Sequence, residues 1–335
     1  MVGQTPGQTP GQTPGSARVP LDPLLIMAFL RAFGAYLPSR VVDNQEIAAA
    51  TGTDAEWILR TTGIAERRFA APDESVASLG IRAAQNCLEN AGLVARDVGL
   101  LLVASSSAEH RFPGPASTIG AGLGINGVPA IDLPIASAGS LFGMALAAHL
   151  AMAYRNVLVI GAEVMSRVVQ RHPTHRDTAI LFGDGAGACL AGSETGFAEI
   201  RDSLLASDGD FAEALRLDLD APLYMDGRTI ILQAARKIPR AISELLQRNR
   251  IPAATVEAFL MHQANLNLIA RVAQALAVPE DRFFRNIQRY GNTSSASLLI
   301  AAAEWRQQHS SPPAGPLIFA AFGAGLHWGA LLAAP

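Results

Sequence analysis

Three polar segments of the chain carry side chains that could act together in catalysis. Ser137 lies in a tight turn of small residues that opens a long apolar helix. His262 ends the apolar run 258–261, and Asn292 lies in a Gly-Asn-Thr turn. A hydroxyl nucleophile, an imidazole and an amide donor form a set suited to capturing an acyl group from a thioester and to carbanion chemistry.

Each of these residues also has a plainer interpretation. On its local sequence alone Ser137 is favoured as an ordinary N-cap, His262 as a satisfied core histidine and Asn292 as a turn residue. A helix N-terminus favours developing negative charge, but a serine hydroxyl still needs a general base to remove its proton. His262 could be that base. The three segments taken together favour function.

The order of these segments, with four more, resembles β-ketoacyl-acyl-carrier-protein synthase III of the thiolase superfamily. The resemblance runs from about Leu24 to the end of the chain. The family pattern places a cysteine nucleophile where this chain has Ser137. The four further matching segments are residues 57–68, Phe112-Pro113, residues 182–188 and residues 322–329.

The resemblance implies an α/β fold, the thiolase-like five-layer αβαβα sandwich built from two duplicated halves. The sequence repeats a matching pattern of strand, small-residue turn, Ala-rich helix and strand. Continuous apolar strands joined by helices indicate a sheet buried on both faces. An ordinary doubly wound fold is the alternative. The first copy comprises residues 98–104, the Ser137 turn, a helix to about Tyr154 and residues 157–160; the second comprises residues 256–261, the Asn292 turn, a helix to about Trp305 and residues 317–322.

We therefore predict an N-terminal half over residues 21–193, with the nucleophile, and a C-terminal half over 194–335, with His262 and Asn292. Residues 1–20 repeat Gly-Gln-Thr-Pro and are predicted to be a disordered tail, because they have almost no apolar side chain to bury. The family is usually a homodimer, so the resemblance implies the same here.

Composition narrows the remaining classes. The 335 residues are 50% hydrophobic and 16% charged with a net charge of −3, which predicts a large core and gives no reason to expect nucleic-acid binding. Cys87 and Cys189 are interpreted as buried residues of a reducing compartment. No metal-ligand spacing, secretory signal or span of bilayer length is apparent, so we predict a cytoplasmic protein without membrane or metal binding.

The resemblance assigns roles to further residues. His262 and Asn292 would stabilise the enolate formed when a malonyl group loses carbon dioxide. The backbone N–H groups of Ser137 and Ala324 would form the oxyanion hole. The resemblance also implies residues that bind the substrates. Coenzyme A would be bound by Trp57, Arg176 and Asn265, and Asn267 stands in place of a family arginine at the tunnel mouth. Phe112 would form the floor of the partner's acyl pocket and favour short acyl groups.

The implied function is capture of a short acyl-CoA starter on Ser137 and decarboxylative condensation with a malonyl thioester, carried by an acyl carrier protein, in fatty-acid or polyketide priming. Coenzyme A enters as a thioester substrate, with no separate cofactor. A natural serine enzyme, similar to serine-bearing priming ketosynthases of aromatic polyketide pathways, is our main interpretation. An acyltransferase that passes the starter to another acceptor, an engineered cysteine-to-serine variant and a noncatalytic subunit are the alternatives.

Overall fold

The computed structural model describes residues 28–169, 172–218 and 221–335. The predicted tail over residues 1–20 lies outside these ranges, as does Leu24. Within them the chain forms helices and strands in alternation, and most strands join one large sheet.

The strands are numbered in chain order. Those of the described residues are β1 (Ala28–Tyr36), β2 (Arg40–Asp43), β3 (Glu66–Phe69), β4 (Leu100–Ala104), β5 (Ala130–Leu133), β6 (Asn156–Val164), β7 (Asp184–Gly192), β8 (Ala198–Ser207), β9 (Leu215–Arg216), β10 (Tyr224–Met225), β11 (Ala258–Met261), β12 (Leu317–Gly323) and β13 (His327–Ala334).

The helices are numbered in the same way. Those of the described residues are α1 (Asn44–Thr51), α2 (Ala55–Thr62), α3 (Val76–Ala91), α4 (Pro115–Leu123), α5 (Gly139–Tyr154), α6 (Met165–Val168), α7 (Arg176–Ala179), α8 (Gly227–Arg248), α9 (Leu266–Ala275), α10 (Ile287–Tyr290) and α11 (Ser297–Gln308).

The large sheet has nine strands in the order β5-β4-β6-β7-β1-β8-β13-β12-β11. Its two halves have the same strand arrangement. In the first half β4 and β6 are parallel, and β7 and then β1 are added in antiparallel pairings. In the second half β11 and β12 are parallel, and β13 and then β8 are added in antiparallel pairings. The halves meet where β1 pairs with β8, with Leu30 opposite Ala198. The sheet thus contains one strand pattern twice, and the duplication predicted from the sequence is confirmed.

Two central helices lie between the halves of this sheet. α5 and α11 are built largely of Ala, Leu, Gly and Ser, are apolar around most of their circumference, and contact strands of both halves. Gly187 of β7 shows how closely they pack, because a Cβ there would lie 2.5 Å from the Cβ of Leu299 on α11. Glycine at position 187 therefore allows the strand and the helix to pack closely.

The outer layers complete the sandwich. α3 and α4 cover the first half of the sheet, and α8 and α9 cover the second, each over its own hydrophobic core, while a third core surrounds α5 and α11. The order is therefore helices, sheet, helices, sheet, helices. The predicted five-layer α/β sandwich is confirmed, and the ordinary doubly wound alternative is wrong.

Two further features of the described ranges bear on earlier expectations. Cys87 and Cys189 are buried free thiols, and burial raises the pKa of each. Cys87 lies on the buried face of α3, in the core that this helix covers, and Cys189 of β7 lies in the central core. Across the same ranges no helix has the length and apolar character needed to cross a membrane, and no cluster of three acidic, His or Cys side chains suits a metal ion.

Candidate active site

One cavity of about 520 Å³ brings the three predicted catalytic residues together. Ser137, from the first half of the chain, lines it with His262 and Asn292, from the second half. All three are buried, at 6% exposure each, although the first and the second are 125 positions apart in the sequence. The cavity opens to the surface past Trp57 and Arg228.

The Ser137 turn has an uncommon backbone. Ser137 has φ of 61°, in the left-handed region that non-glycine residues seldom occupy. Gly323, at the end of β12, fixes the turn from the opposite side, since a Cβ there would lie 1.9 Å from Ala136 O and 2.8 Å from Ala138 N. The N-cap of α5 is Ala138, without a side-chain cap. Ser137 is therefore not the N-cap that its local sequence favours.

The side chain and the backbone of Ser137 differ in their hydrogen bonding. Its hydroxyl has no hydrogen-bond partner among the described residues, whereas its backbone N–H donates to Ser294 Oγ at 3.1 Å. An acyl oxygen at the predicted oxyanion position would either share this N–H group with Ser294 Oγ or replace Ser294 Oγ as its acceptor. Ala324, the other predicted oxyanion residue, lines a separate small cavity of about 50 Å³ together with Ser137 and Ser294.

His262 is held at both ends of the residue. Its backbone N–H donates to Ala320 O of β12 at 2.9 Å, and its Nδ1 lies 2.5 Å from Ser297 Oγ. Burial disfavours the charged imidazolium and lowers the pKa of His262 to about 4. The imidazole is therefore neutral at pH 7. Such a ring is a weak base but remains a good hydrogen-bond donor.

Asn292 has a defined amide orientation. Its Oδ1 accepts from Ser294 N–H at 2.9 Å, which leaves the Nδ2 group as the donor that can serve the cavity. Its backbone is tied to the strand-like segment before β7, with N–H donating to Leu181 O at 2.9 Å and the carbonyl accepting from Gly183 N–H at 3.1 Å. Asn292 is thus positioned by backbone contacts as well as by its turn.

A partly buried polar cluster stabilises the segment just before this turn. Tyr290 Oη donates to Glu304 Oε1 of α11 at 2.5 Å, while Glu304 Oε2 accepts from Asn286 Nδ2 at 2.9 Å and from Arg289 Nη2 at 2.8 Å. Burial and the Glu304 carboxylate together raise the pKa of Tyr290 to about 12. These bonds join α10 to α11 on either side of Asn292.

Trp57 and Arg176, the predicted coenzyme A pair, lie together at the mouth. The Arg176 Cζ is 6.0 Å from the centroid of the Trp57 ring, within the range of a cation–π contact. Trp57 lines the cavity from α2. Arg176 is largely exposed and lies 3.4 Å from Asp177. A purine between the two would have to move the flexible guanidinium.

Asn265 lines the same cavity, but its side chain has structural partners. Oδ1 caps α9 by accepting from the N–H of Asn267 at 2.8 Å, and Nδ2 donates to Thr61 O at 3.0 Å. Asn267 Nδ2 also donates to Thr61 O, at 3.1 Å. The two asparagines therefore join α9 to α2 at the rim.

Phe112 lies away from the three catalytic residues. It is 86% exposed and borders a large open cavity that Ala136 and Ala324 also line. In the described part of one chain, Phe112 and Ser137 line different cavities.

Ser294, Ser297 and Arg228 are site residues that the sequence interpretation did not single out. The two serines follow Asn292 within the same motif. The motif therefore indicated that this segment belongs to the site, but it did not indicate which groups the two serine hydroxyls contact. Arg228 stands in the first turn of α8 at the cavity rim. An arginine just after the Asp226 N-cap was the available signal.

Comparison with known proteins agrees with this fold. A family model described as 3-oxoacyl-[acyl-carrier-protein (ACP)] synthase III matches residues 131–209, and one for the C-terminal part of that family matches residues 246–334. The β-ketoacyl-[acyl-carrier-protein] synthase III of Oleidesulfovibrio alaskensis is 37% identical over 325 residues, which cover 91% of this chain and 98% of the relative.

Solved structures give the same result. The 3-oxoacyl-[acyl-carrier-protein] synthase III of Aquifex aeolicus has a TM-score of 0.88 at 32% identity, covering 92% of this chain and 100% of that one. The priming β-ketosynthase of the R1128 polyketide pathway has a TM-score of 0.86 at 30% identity, covering 92% and 96%. Fold and relatives define an acyltransferase of the thiolase superfamily. The chain belongs to the 3-oxoacyl-[acyl-carrier-protein] synthase III family, which confirms the resemblance found in the sequence.

Proposed function

We propose that the protein captures a short acyl group from acyl-CoA on Ser137 and condenses it with a malonyl thioester. The observation that carries this proposal is the convergence of Ser137 with His262 and Asn292 on one cavity. A hydroxyl can accept the acyl group there, and two polar side chains can stabilise a neighbouring enolate.

Ser137 Oγ attacks the thioester carbonyl, the C–S bond breaks, and coenzyme A leaves as the thiol with the serine proton. Loss of carbon dioxide from the malonyl thioester then leaves an enolate. Its carbon attacks the acyl carbonyl on Ser137 and the C–O bond breaks, which releases a β-ketoacyl thioester. The Ser137 oxygen then takes one proton from water, and the hydroxyl is regenerated.

The neutral state of His262 suits the second half of this sequence. Two fixed neutral donors, the imidazole and the Asn292 amide, are preorganised for charge that appears only as carbon dioxide leaves. A buried neutral ring also avoids the desolvation cost of a permanent imidazolium. The retained Asn292 favours condensation over simple acyl transfer, which needs no enolate stabiliser.

A natural serine enzyme accounts for the site better than a noncatalytic subunit. Ser137 keeps a strained backbone and an unpartnered hydroxyl in the described part of the chain, while both donors remain in place. The structural similarity to a priming β-ketosynthase of a polyketide pathway supports a starter-loading role. An engineered cysteine-to-serine variant would share this geometry and would recover faster condensation on reversion.

The small cavity beside Ser137 supports a short starter. Its volume of about 50 Å³ suits an acyl group of two or three carbons. We propose a homodimer in which Phe112 of each copy closes the acyl pocket of the other. Edge strand β5, whose Ile131 is 45% exposed, and the 86% exposed Phe112 support an interface on this side.

The extender is proposed to arrive on an acyl carrier protein, since relatives of the chain are named for such a substrate. Trp57, Arg176 and Arg228 at the mouth support entry of a coenzyme A thioester by the same route. With these substrates, we propose that the protein acts in the cytoplasm and serves fatty-acid or polyketide priming.

Mass spectrometry of the intact protein tests the first step. Incubation with acetyl- or propionyl-CoA is expected to add one acyl group, located on Ser137 by peptide mapping. Ser140→Ala is the matched control, because Ser140 lies one turn further along and its buried hydroxyl has no partner among the described residues. If no acyl-CoA of a panel modifies the parent while Ser137→Cys is modified readily, the proposal is wrong.

Acyl transfer to another acceptor is a second candidate. An oxyester on Ser137 is a poorer electrophile for a carbanion than the thioester of a cysteine enzyme. Transfer of labelled starter to thiols, hydroxyls or amines without release of carbon dioxide from malonyl thioester would favour this alternative.

A further inference from the structure

The hydroxyl of Ser297 connects the catalytic histidine to the chain that precedes α9. Ser297 Oγ lies 2.5 Å from His262 Nδ1 and accepts from Gln263 N–H at 3.1 Å. Ser297 is 2% exposed, so water does not compete for these bonds. These are its only side-chain hydrogen bonds within the described ranges.

Each tautomer of His262 makes a different demand on that hydroxyl. If Nδ1 carries the proton, Ser297 Oγ accepts from both Nδ1–H and Gln263 N–H, and its own O–H is left buried without an acceptor. If Nε2 carries the proton, Ser297 O–H donates to Nδ1 and every group is satisfied. A buried donor left unpaired is costly, which favours the Nε2–H tautomer by roughly tenfold or more.

Gln263 keeps this arrangement fixed. Its side chain donates from Nε2 to Met261 O at 2.8 Å and accepts at Oε1 from Asn286 N–H at 3.2 Å. Gln263 is 1% exposed. The backbone N–H of Gln263 is therefore held toward Ser297 Oγ, and one lone pair of that oxygen is permanently occupied.

We propose that Ser297 is a positioning residue that holds His262 in the Nε2–H tautomer, so that the histidine faces the cavity as a hydrogen-bond donor. The catalytic meaning of this assignment rests on the proposed function. The donor form is the one that an enolate oxygen needs.

The assignment separates the two half-reactions. Removal of the Ser137 proton by His262 requires the opposite tautomer, with Nε2 accepting that proton and Nδ1–H donating to Ser297 Oγ. Proton transfer then ends on the leaving thiolate of coenzyme A. Ser297 thus favours the decarboxylation step and disfavours His262 as the base that removes the Ser137 proton. Removal of the Ser297 hydroxyl should therefore change the rates of decarboxylation and of Ser137 acylation in different directions.

Nitrogen NMR of the free protein tests the assignment without any activity. In protein labelled with ¹⁵N-histidine, long-range ¹H–¹⁵N correlations show which ring nitrogen carries the proton. We expect the protonated Nε2 form of His262 in the parent and in Ser297→Thr, and a mixture of tautomers in Ser297→Ala. Ser295→Ala is the control, because it removes a buried hydroxyl of the same turn that bonds to Ile135 O instead. A parent protonated on Nδ1 overturns the proposal.

The half-reactions provide the functional test. Ser297→Ala is expected to lower release of carbon dioxide from a malonyl thioester about tenfold while acylation of Ser137 is maintained or increased, and Ser297→Thr should restore the parent ratio. Equal loss of both steps with an unchanged tautomer would show a merely structural role. If Ser297→Ala does not fold, the His262 tautomer measured by NMR in the parent and in Ser297→Thr still tests the proposal. A parent that shows the Nε2–H form but never acylates Ser137 would refute the proposed function and leave the tautomer assignment intact.

Discussion

The two turns that begin the central helices occupy equivalent places in the duplicated fold but are bonded very differently. In the turn before α5, the Ser137 hydroxyl has no hydrogen bond within the described residues. In the turn before α11, Asn292, Ser294 and, at the helix start, Ser297 all have defined polar partners. The proposed nucleophile is thus held by its backbone alone, whereas Asn292 is held by its side chain as well as by its backbone.

This difference predicts which of these side chains can be exchanged without disturbing their neighbours. A side chain whose orientation depends on backbone strain and on Gly323 can be a thiol or a hydroxyl without disturbing other bonds. The donors of the second turn belong to a connected network, in which loss of one member leaves a buried partner unsatisfied. Exchange of the nucleophile should therefore change chemistry more than stability, and changes in the Asn292 turn should affect both.

Asn292→Ala gives the largest expected effect on the donor turn. Loss of one preorganised donor lowers the rate of such a step by about a hundredfold or more, so release of carbon dioxide from malonyl thioester should fall by that factor while Ser137 still acylates. Asn292→Asp is the matched variant, since it keeps an acceptor for Ser294 N–H but removes the donor. Condensation at the parent rate in both variants would contradict the donor role.

His262 gives a pH-dependent effect on stability. Because burial lowers its pKa from 6.5 to about 4, the unfolded chain binds the proton more readily between these values. The free energy of unfolding therefore decreases as pH falls through 6.5 toward 4, by about 2 kcal/mol between pH 7.5 and pH 5. Urea unfolding at both values should show that His262→Gln loses less stability on acidification than the parent. Equal losses would mean that the histidine titrates normally in the folded state.

Trp57→Ala tests the mouth and should have the smallest effect. Loss of a partly exposed stacking surface costs about 1 kcal/mol, or roughly fivefold in the KM for acyl-CoA, with kcat for condensation unchanged. Leu59→Ala, on an exposed position of the same helix, is the control. A fall in kcat without a change in KM would place Trp57 in the chemistry rather than in binding.

The sequence predicted the repeated elements well because their apolar periodicity is local. Residues 100–104 of the run 98–104 form β4, and the run 317–322 forms most of β12. The two helices begin within a few residues of the predicted turns. The pairing of β1 with β8, which joins the halves, lacks any local signal. Motif order predicted that Ser137, His262 and Asn292 meet.

The hydrogen-bond network around those three residues was not predictable in the same way. The bond from Ser137 N–H to Ser294 Oγ joins positions 157 apart, and the Ser297 bond to His262 joins positions 35 apart. Serine is common in turns, so its type says little about its partner. The capping role of Asn265 and the exposed Phe112 likewise depend on tertiary placement, or on a second copy of the chain.

A chase of acyl-Ser137 tests the central claim most directly. Protein carrying a ¹³C-labelled acetyl or propionyl group on Ser137 is freed of acyl-CoA and then mixed with malonyl thioester, and both protein and product are followed by mass spectrometry. The account predicts that label leaves Ser137 at the rate at which labelled β-ketoacyl thioester appears, with one carbon dioxide released for each product. Label that remains on Ser137 while product forms, or that leaves only as the free acid, would contradict it.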